Sequence, residues 1–274
     1  MNSTKPILFS LTAHENMSFL CYQIENIFKY NPECYIVLHL SQNFGNVNLP
    51  FQHPRVIVNP ERCPTEWGFM WHAQFSNLSL IRRIELDYSY IVFEASNTLY
   101  FKLNAKQYMS KFDAGFTTRT VQSMWTEAIE NTIKSDSTFM SIVGTRQLVQ
   151  SNHEGTFYKK EIIEQMYLML ALKYNMPQHY LPGPNSLSYN IEEIWFPNIC
   201  LTFTEKIGLP ITMVTSLMRP LSWNRHFNVY GETPISREKF MEFKNNENNP
   251  PFAIKGFRRN LDDEIVKWIL SMID

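Results

Sequence analysis

Apolar runs recur along the chain at two spacings. Residues 6–12 (Pro-Ile-Leu-Phe-Ser-Leu-Thr) are almost continuously apolar, the pattern of a strand buried on both faces. After a polar loop at 13–16, Phe19, Ile24, Ile27 and Phe28 return at roughly helical spacing. Residues 34–40 are a second run rich in β-formers, and 55–58 a shorter one. A helix is predicted over about 69–84, followed by the clearest central strand at 87–93. Helices are predicted over 104–112 and 121–134, then a turn from 152 leading into a strand that ends at 158, then a helix over 160–174. A proline-rich loop at 176–184, mixed strand and loop at 209–227, a short helix at 235–243 and a polar connector at 245–251 complete the middle. An amphipathic helix over 261–273 closes the chain, with Asp262, Asp263 and Glu264 in its first turn, where the helix dipole favours acids. The opening order of strand, loop, helix and strand predicts an α/β fold: a Rossmann-like, mostly parallel central sheet flanked by helices, in one domain over 1–274.

Composition narrows the function classes. With 44% hydrophobic and 19% charged residues the chain is globular rather than disordered. A net charge of -1 gives no footprint for nucleic acid, so any anion site is local. Cys21, Cys34, Cys63 and Cys200 form no CxxC pair, which fits a reducing compartment. No apolar stretch reaches the roughly 18 residues of a membrane span, and the start lacks a signal-peptide pattern. A soluble, cytoplasmic protein is expected. There is no GxGxxG, which argues against a dinucleotide site.

Two stretches concentrate chemistry. In the first, Glu192 and Glu193 run into Ile194-Trp195-Phe196-Pro197. A carboxylate against an apolar wall has its pKa raised and can serve as a general base; the same pattern is also that of a solvated first turn of a helix. In the second, Lys255, Arg258 and Arg259 follow a rigid Pro250-Pro251. They suit phosphate oxygens, or equally face solvent as a basic loop. Ligands of open parallel sheets bind at the C-terminal strand ends, which here carry Thr12, His14, His39 and Ser41, and after the central strand Ser96 and Asn97. A lone His at such an end is more often structural than a ligand. Glu154, before a Gly, could accept bonds from sugar hydroxyls or simply form a turn. Trp195, Trp223 and Arg225 could shape an acceptor surface, with core packing the leading alternative for them.

The order of these pieces resembles the core-2/I-branching N-acetylglucosaminyltransferases and the peptide-O-xylosyltransferases, from about residue 7 to about 269. Residues 62–68 resemble the family's segment ending in Trp-Gly before a helix, and 87–97 its Asp-Tyr strand and following turn. That turn has diverged: Glu94, Ala95 and Asn97 replace Ser, Gly and Asp. Residues 155–161 resemble the strand before the family's long helix. Glu193-Ile194-Trp195-Phe196-Pro197-Asn198 is similar to its Glu-x-aromatic-Phe-x-Thr motif, and Phe252-Ala253-Ile254-Lys255 to its Phe-Ala-Arg-Lys motif.

The resemblance implies a GT-A-type fold with a nucleotide-binding half over about 1–100 and an acceptor and catalytic half over about 101–274. It implies an inverting, metal-independent transferase moving an N-acetylglucosamine- or xylose-type sugar from a UDP-sugar donor to a glycan hydroxyl, with no cofactor. Glu193, or its neighbour Glu192, becomes the base and Lys255 the diphosphate contact. Many sugar-nucleotide transferases hold a metal with acids after the central strand; Ser96 and Asn97 are poor sole ligands for a divalent cation. Two alternatives stand beside this reading: a carbohydrate-binding protein on a degenerate transferase fold, and a glycosidase, which would need a second carboxylate opposed across a cleft.

Overall fold

In the computed structural model the described residues are 5–14, 16–45, 49–50, 52–65, 70–96, 98–116, 119–120, 133–145, 147–173, 191–206, 213–214, 218–220, 237–245, 251–255 and 260–272. The first half follows the apolar pattern closely. Strand β1 (Ile7–Ala13) leads to helix α1 (Met17–Tyr30), β2 (Tyr35–Leu40), β3 (Val56–Val58), α2 (Met70–Arg83) and β4 (Tyr90–Ala95). Asn16 starts α1, its side chain accepting from Phe19 N at 3.0 Å. Then come β5 (Thr98–Tyr100), α3 (Ala105–Met109), β6 (Ala114–Gly115), β7 (Arg119–Thr120), α4 (Ser137–Val143), β8 (Val149–Gln150), β9 (Phe157–Lys159) and α5 (Lys160–Lys173). Helix α6 (Ile191–Lys206), β10 (Met213–Val214), β11 (Met218–Pro220), α7 (Arg237–Lys244), β12 (Ala253–Lys255) and α8 (Glu264–Ser271) follow.

The main sheet has the order β10-β6-β9-β4-β1-β2-β3. The pairs β4/β1, β1/β2 and β2/β3 are parallel, as is β10/β6, while β9 runs antiparallel to both its neighbours. The fold is therefore α/β with a mostly parallel, mixed central sheet flanked by helices, as the sequence predicts. A second sheet, β11-β12-β5, stands beside it, and β7 pairs with β8.

Strand alternation divides the core. Leu8, Val37, Ile91 and Phe93 pack with Trp71, Leu78 and Ile81 of α2 and with α5 and α6. Ile7, Phe9, Leu11, Ile36, Leu38 and Val92 face the other way, onto Leu20, Ile24 and Ile27 of α1. Each fully buried side chain of this size contributes roughly 1.5–3 kcal/mol. Gly115 is required by close approach: a Cβ there would overlap the Phe157 ring.

Several boundaries differ from the sequence expectation, two of them at acidic residues. The central strand begins at Tyr90, because Asp87 is held in the preceding loop by Lys5 at 3.0 Å and Lys160 at 3.3 Å. The last helix begins at Glu264, with Asp263 as its cap accepting from Ile265 N at 2.9 Å, so Asp262 lies before it. The loop expected at 176–184 and most of the helix expected at 121–134 fall outside the described residues.

Candidate active site

The site forms where the C-terminal end of β4 meets three later segments. Strand β9 runs antiparallel to β4, so its entrance lies beside that end: Gly155 N donates to Phe93 O at 2.8 Å and Phe93 N to Thr156 O at 2.9 Å. This brings His153 and Glu154 next to Glu94. Strand β12 pairs antiparallel with β5 and sets Lys255 opposite Thr98, just past the same end. The first turn of α6 supplies Glu192 and Glu193.

The local reason that α6 reaches this place is Pro197. Its missing N–H leaves the Glu193 carbonyl without its helical partner, and Ser151 N takes that carbonyl at 2.8 Å. One residue on, Asn198 accepts from Val149 N at 3.0 Å and donates to Val149 O at 2.7 Å, as a strand partner would. The segment leading to His153 and Glu154 is thereby tied to the helix that carries the Glu pair.

Electrostatics divides the carboxylates. Lys255 and Glu154 form a buried ion pair. The Lys255 ammonium overcomes desolvation and holds Glu154 down at about 2. Glu94 is fully buried within β4; burial pushes it up to about 8 against the opposing bond from Tyr100, and the Glu154 charge adds to the rise. Tyr100 donates to one of its oxygens, while the other has no partner among the described residues. Glu192 is also raised to about 8, by burial first and then by Glu193 and Glu154, and one of its oxygens has no partner among the described residues. His153 lies over Phe93 with ring centroids 5.1 Å apart; burial lowers it to about 4 and neither ring nitrogen has a partner among the described residues. At neutral pH the cluster thus holds one compensated charge pair, two protonated carboxyls and a neutral imidazole. Glu193 is half-buried, and its carboxylate accepts from Gln150 Nε2 at 2.5 Å.

The structure brings together Glu192, Glu154 and Lys255, with Glu193 next to Glu192; Ser96 directly follows β4, its hydroxyl buried and without a partner among the described residues. Glu192 does stand in the first turn of a helix, but buried rather than solvated, because α6 enters the molecule at its N-terminus. Thr12 donates to Glu94 O at 3.2 Å, supporting the strand from within. His14 follows β1, half-buried. His39 and Ser41 serve the loop after β2. Cys63 N donates to His39 Nε2 at 3.1 Å, and Ser41 Oγ accepts from Thr65 N at 3.1 Å and Asn43 N at 3.3 Å. Burial lowers His39 below its usual pKa. His39 Nε2 and Ser41 Oγ are thus spent on backbone amides, while His39 Nδ1 has no partner among the described residues. Trp195 takes the core-packing alternative. It is 2% exposed, packed between Trp71 and Phe139 at 5.0 and 5.5 Å, so its ring is core rather than acceptor surface. Arg258, Arg259, Asn97, Trp223 and Arg225 lie outside the described residues.

Sequence reasoning passed over Glu94 and His153 as site members. A Glu closing the apolar run Tyr-Ile-Val-Phe was the signal available for the first; His153 had none. Among the described residues no set of three or more His, Cys, Asp or Glu side chains is arranged to hold a metal ion.

No protein-family profile matches the chain. It is 22% identical over 242 residues to a hyaluronan synthase of Pasteurella multocida, covering 82% of this chain and 24% of the relative. It is 21% identical over 237 residues to a chondroitin synthase of Pasteurella multocida strain Pm70, covering 80% and 24%. The chain thus spans about a quarter of the length of these relatives. Among solved structures, an active-site mutant of LgtC overlaps at TM-score 0.45 and 8% identity, covering 97% of this chain and 94% of that one. The sequence matches support a distant relationship to glycosyltransferases. They do not single out the core-2/I-branching or xylosyltransferase family.

Proposed function

We propose that this chain is an inverting glycosyltransferase that moves a sugar from a UDP-sugar donor to a glycan hydroxyl. The observation that carries the proposal is the buried Lys255–Glu154 pair, set beside Glu94 and the Glu192–Glu193 turn at the C-terminal end of a central parallel strand. Open parallel sheets bind ligands at that edge. The distant likeness to a hyaluronan synthase and a chondroitin synthase supports the sugar-transfer class.

Glu193 acts as the base, taking the proton of the acceptor hydroxyl as it attacks the anomeric carbon. It is half-buried, so an acceptor can approach it, and the amide of Gln150 donates to it, which suits an ionised carboxylate. Glu192 is protonated at neutral pH and shut away from water, which suits it less. The leaving diphosphate carries growing negative charge, and Lys255 is placed to meet it by exchanging Glu154 for phosphate oxygen. Activity is independent of metal, because Ser96 and Asn97 stand where acidic ligands are otherwise expected. The transferred sugar is of N-acetylglucosamine or xylose type.

The neutralisation of Lys255 by Glu154 favours a second reading, a sugar-binding protein without turnover. Titration with UDP and UDP-sugars, followed by product mass with and without a chelator, separates the two. Glu193→Gln is expected to lower turnover by about 10²–10⁴ while UDP affinity is kept. Turnover lost on chelation rules out the metal-free mechanism. Normal turnover in Glu193→Gln with loss in Glu192→Gln moves the base by one residue.

A further inference from the structure

The turn between β4 and β5, which follows Glu94, is held from behind by two amides of α1. Gln23 Nε2 donates to Ala95 O at 2.7 Å and to Thr98 O at 2.9 Å, spanning the turn. Asn26 Nδ2 donates to Tyr100 O at 2.9 Å, and its Oδ1 accepts from Tyr100 N at 2.7 Å. The two residues are three apart on one helix, so they share a face, and both are buried. Two carbonyl partners fix which end of the Gln23 amide points at the turn, since only the NH₂ donates. Its oxygen has no partner among the described residues. A buried unpaired acceptor costs stability that an apolar side chain of the same length would not. Packing alone would therefore favour Met or Leu at this position.

The neighbours of β5 give these bonds their reach. Thr98 and Tyr100 sit opposite Lys255 and Ala253 in β12, and Phe101 N donates to Phe252 O at 3.0 Å. Tyr100 donates its hydroxyl to Glu94. A shift of β5 therefore moves the ammonium of Lys255 and the partner of Glu94 together.

We infer that Gln23 and Asn26 are positioning residues: through the backbone of β5 and the end of β4 they fix where Lys255 and Glu94 stand, and so hold the Lys255–Glu154 pair in register. The effect on UDP rests on the glycosyltransferase reading; the effect on Lys255 does not.

The test uses Gln23→Met and Asn26→Leu, close in volume but unable to make these bonds, with Gln23→Asn as a milder change. Folding is checked by circular dichroism. The first measurement is the rate at which Lys255 reacts with an amine-directed acylating reagent under native conditions, read by peptide mass spectrometry. A lost buried hydrogen bond shifts a local equilibrium by about one order of magnitude, so labelling should rise about tenfold in Gln23→Met and less in Gln23→Asn. The second is the Kd for UDP, expected to weaken by about the same factor. Ile27→Val loosens the same helix but carries no side-chain bond to β4 or β5, and should label at the wild-type rate. Wild-type labelling of Lys255 in the folded variants, or equal labelling in Ile27→Val, overturns the inference whatever UDP does. A wild-type protein that fails to bind UDP while the variants label faster overturns the proposed function and leaves the positioning role standing.

Discussion

Strands β2 and β4 flank β1 and end on the same edge of the sheet, yet they bury their polar residues in different ways. After β2, side chains serve the backbone. His39 and Ser41 accept from Cys63, Thr65 and Asn43 amides, and Arg62 donates to Ser41 O at 2.6 Å and Gly45 O at 2.7 Å. His39 Nδ1 and the Thr65 hydroxyl are left over, and both belong to neutral groups. After β4, side chains face one another. Glu94, Glu154, Glu192, His153 and Lys255 are all ionisable and buried, and among the described residues Lys255 pairs with Glu154. The first end is a loop closed by its own chain. The second depends on a charge balance assembled from four distant segments, which is the arrangement expected of a site rather than of a scaffold.

That contrast can be broken most sharply at Lys255. Lys255→Ala leaves Glu154 ionised and buried, so a loss of about 3–5 kcal/mol in urea unfolding at pH 7 is expected. Adding Glu154→Gln should recover most of it. A loss below about 1 kcal/mol would mean that the pair is solvated. The Glu154 contribution is present above its unfolded pKa near 4.5 and fades as pH falls through about 2. At the β2 end, Arg62→Ala removes charge-assisted bonds to carbonyls and should cost about 1.5–3 kcal/mol. The rate of Lys255 labelling should not change with it. Ser41→Ala removes the cap of the turn at 42–44 and should cost about 1 kcal/mol; no change in the unfolding midpoint would show that water replaces it.

The least disruptive change, Glu94→Gln, shows chiefly in a slope. A carboxyl raised to about 8 gives stability that is full below its unfolded pKa near 4.5 and lost as pH rises through about 8. Glu192 acts in the same direction. His72 and His153, both lowered to about 4, oppose this below pH 6.5, since they must stay neutral in the fold. The informative quantity is therefore the difference between Glu94→Gln and the parent: smallest below about pH 4.5 and growing in favour of the variant towards pH 8. A difference that does not change with pH would mean that Glu94 is ionised throughout.

The fold was legible where burial and period agree. Strands β1, β2 and β4 announce themselves because both faces of the sheet are covered and few polar residues interrupt them. Those that do, such as Ser10, are answered by Gln74 and Asn77 on α2. The site was legible in part. The Glu pair, Lys255 and Glu154 stood out as charges beside apolar or rigid segments, but their meeting did not. Lys255 and Glu154 are 101 residues apart, and no local pattern encodes such a contact. His39, Ser41 and Trp195 looked like ligand contacts because strand ends and aromatics are ambiguous. Only the positions of Cys63, Thr65, Trp71 and Phe139 show what they serve.

Pro197 carries a consequence for the order in which the molecule assembles and comes apart. A proline within a helix removes a local bond, and here the vacated Glu193 carbonyl is taken by an amide from across the chain. Helix α6 is thus short of one bond on its own and complete only when the segment at 149–151 has docked. Secondary structure and long-range contact are made cooperative at that point, since neither half keeps the bond alone. The Ser151 amide becomes a natural reporter. Its exchange with deuterium follows the undocking of the β8 segment from α6, whichever of the two opens first.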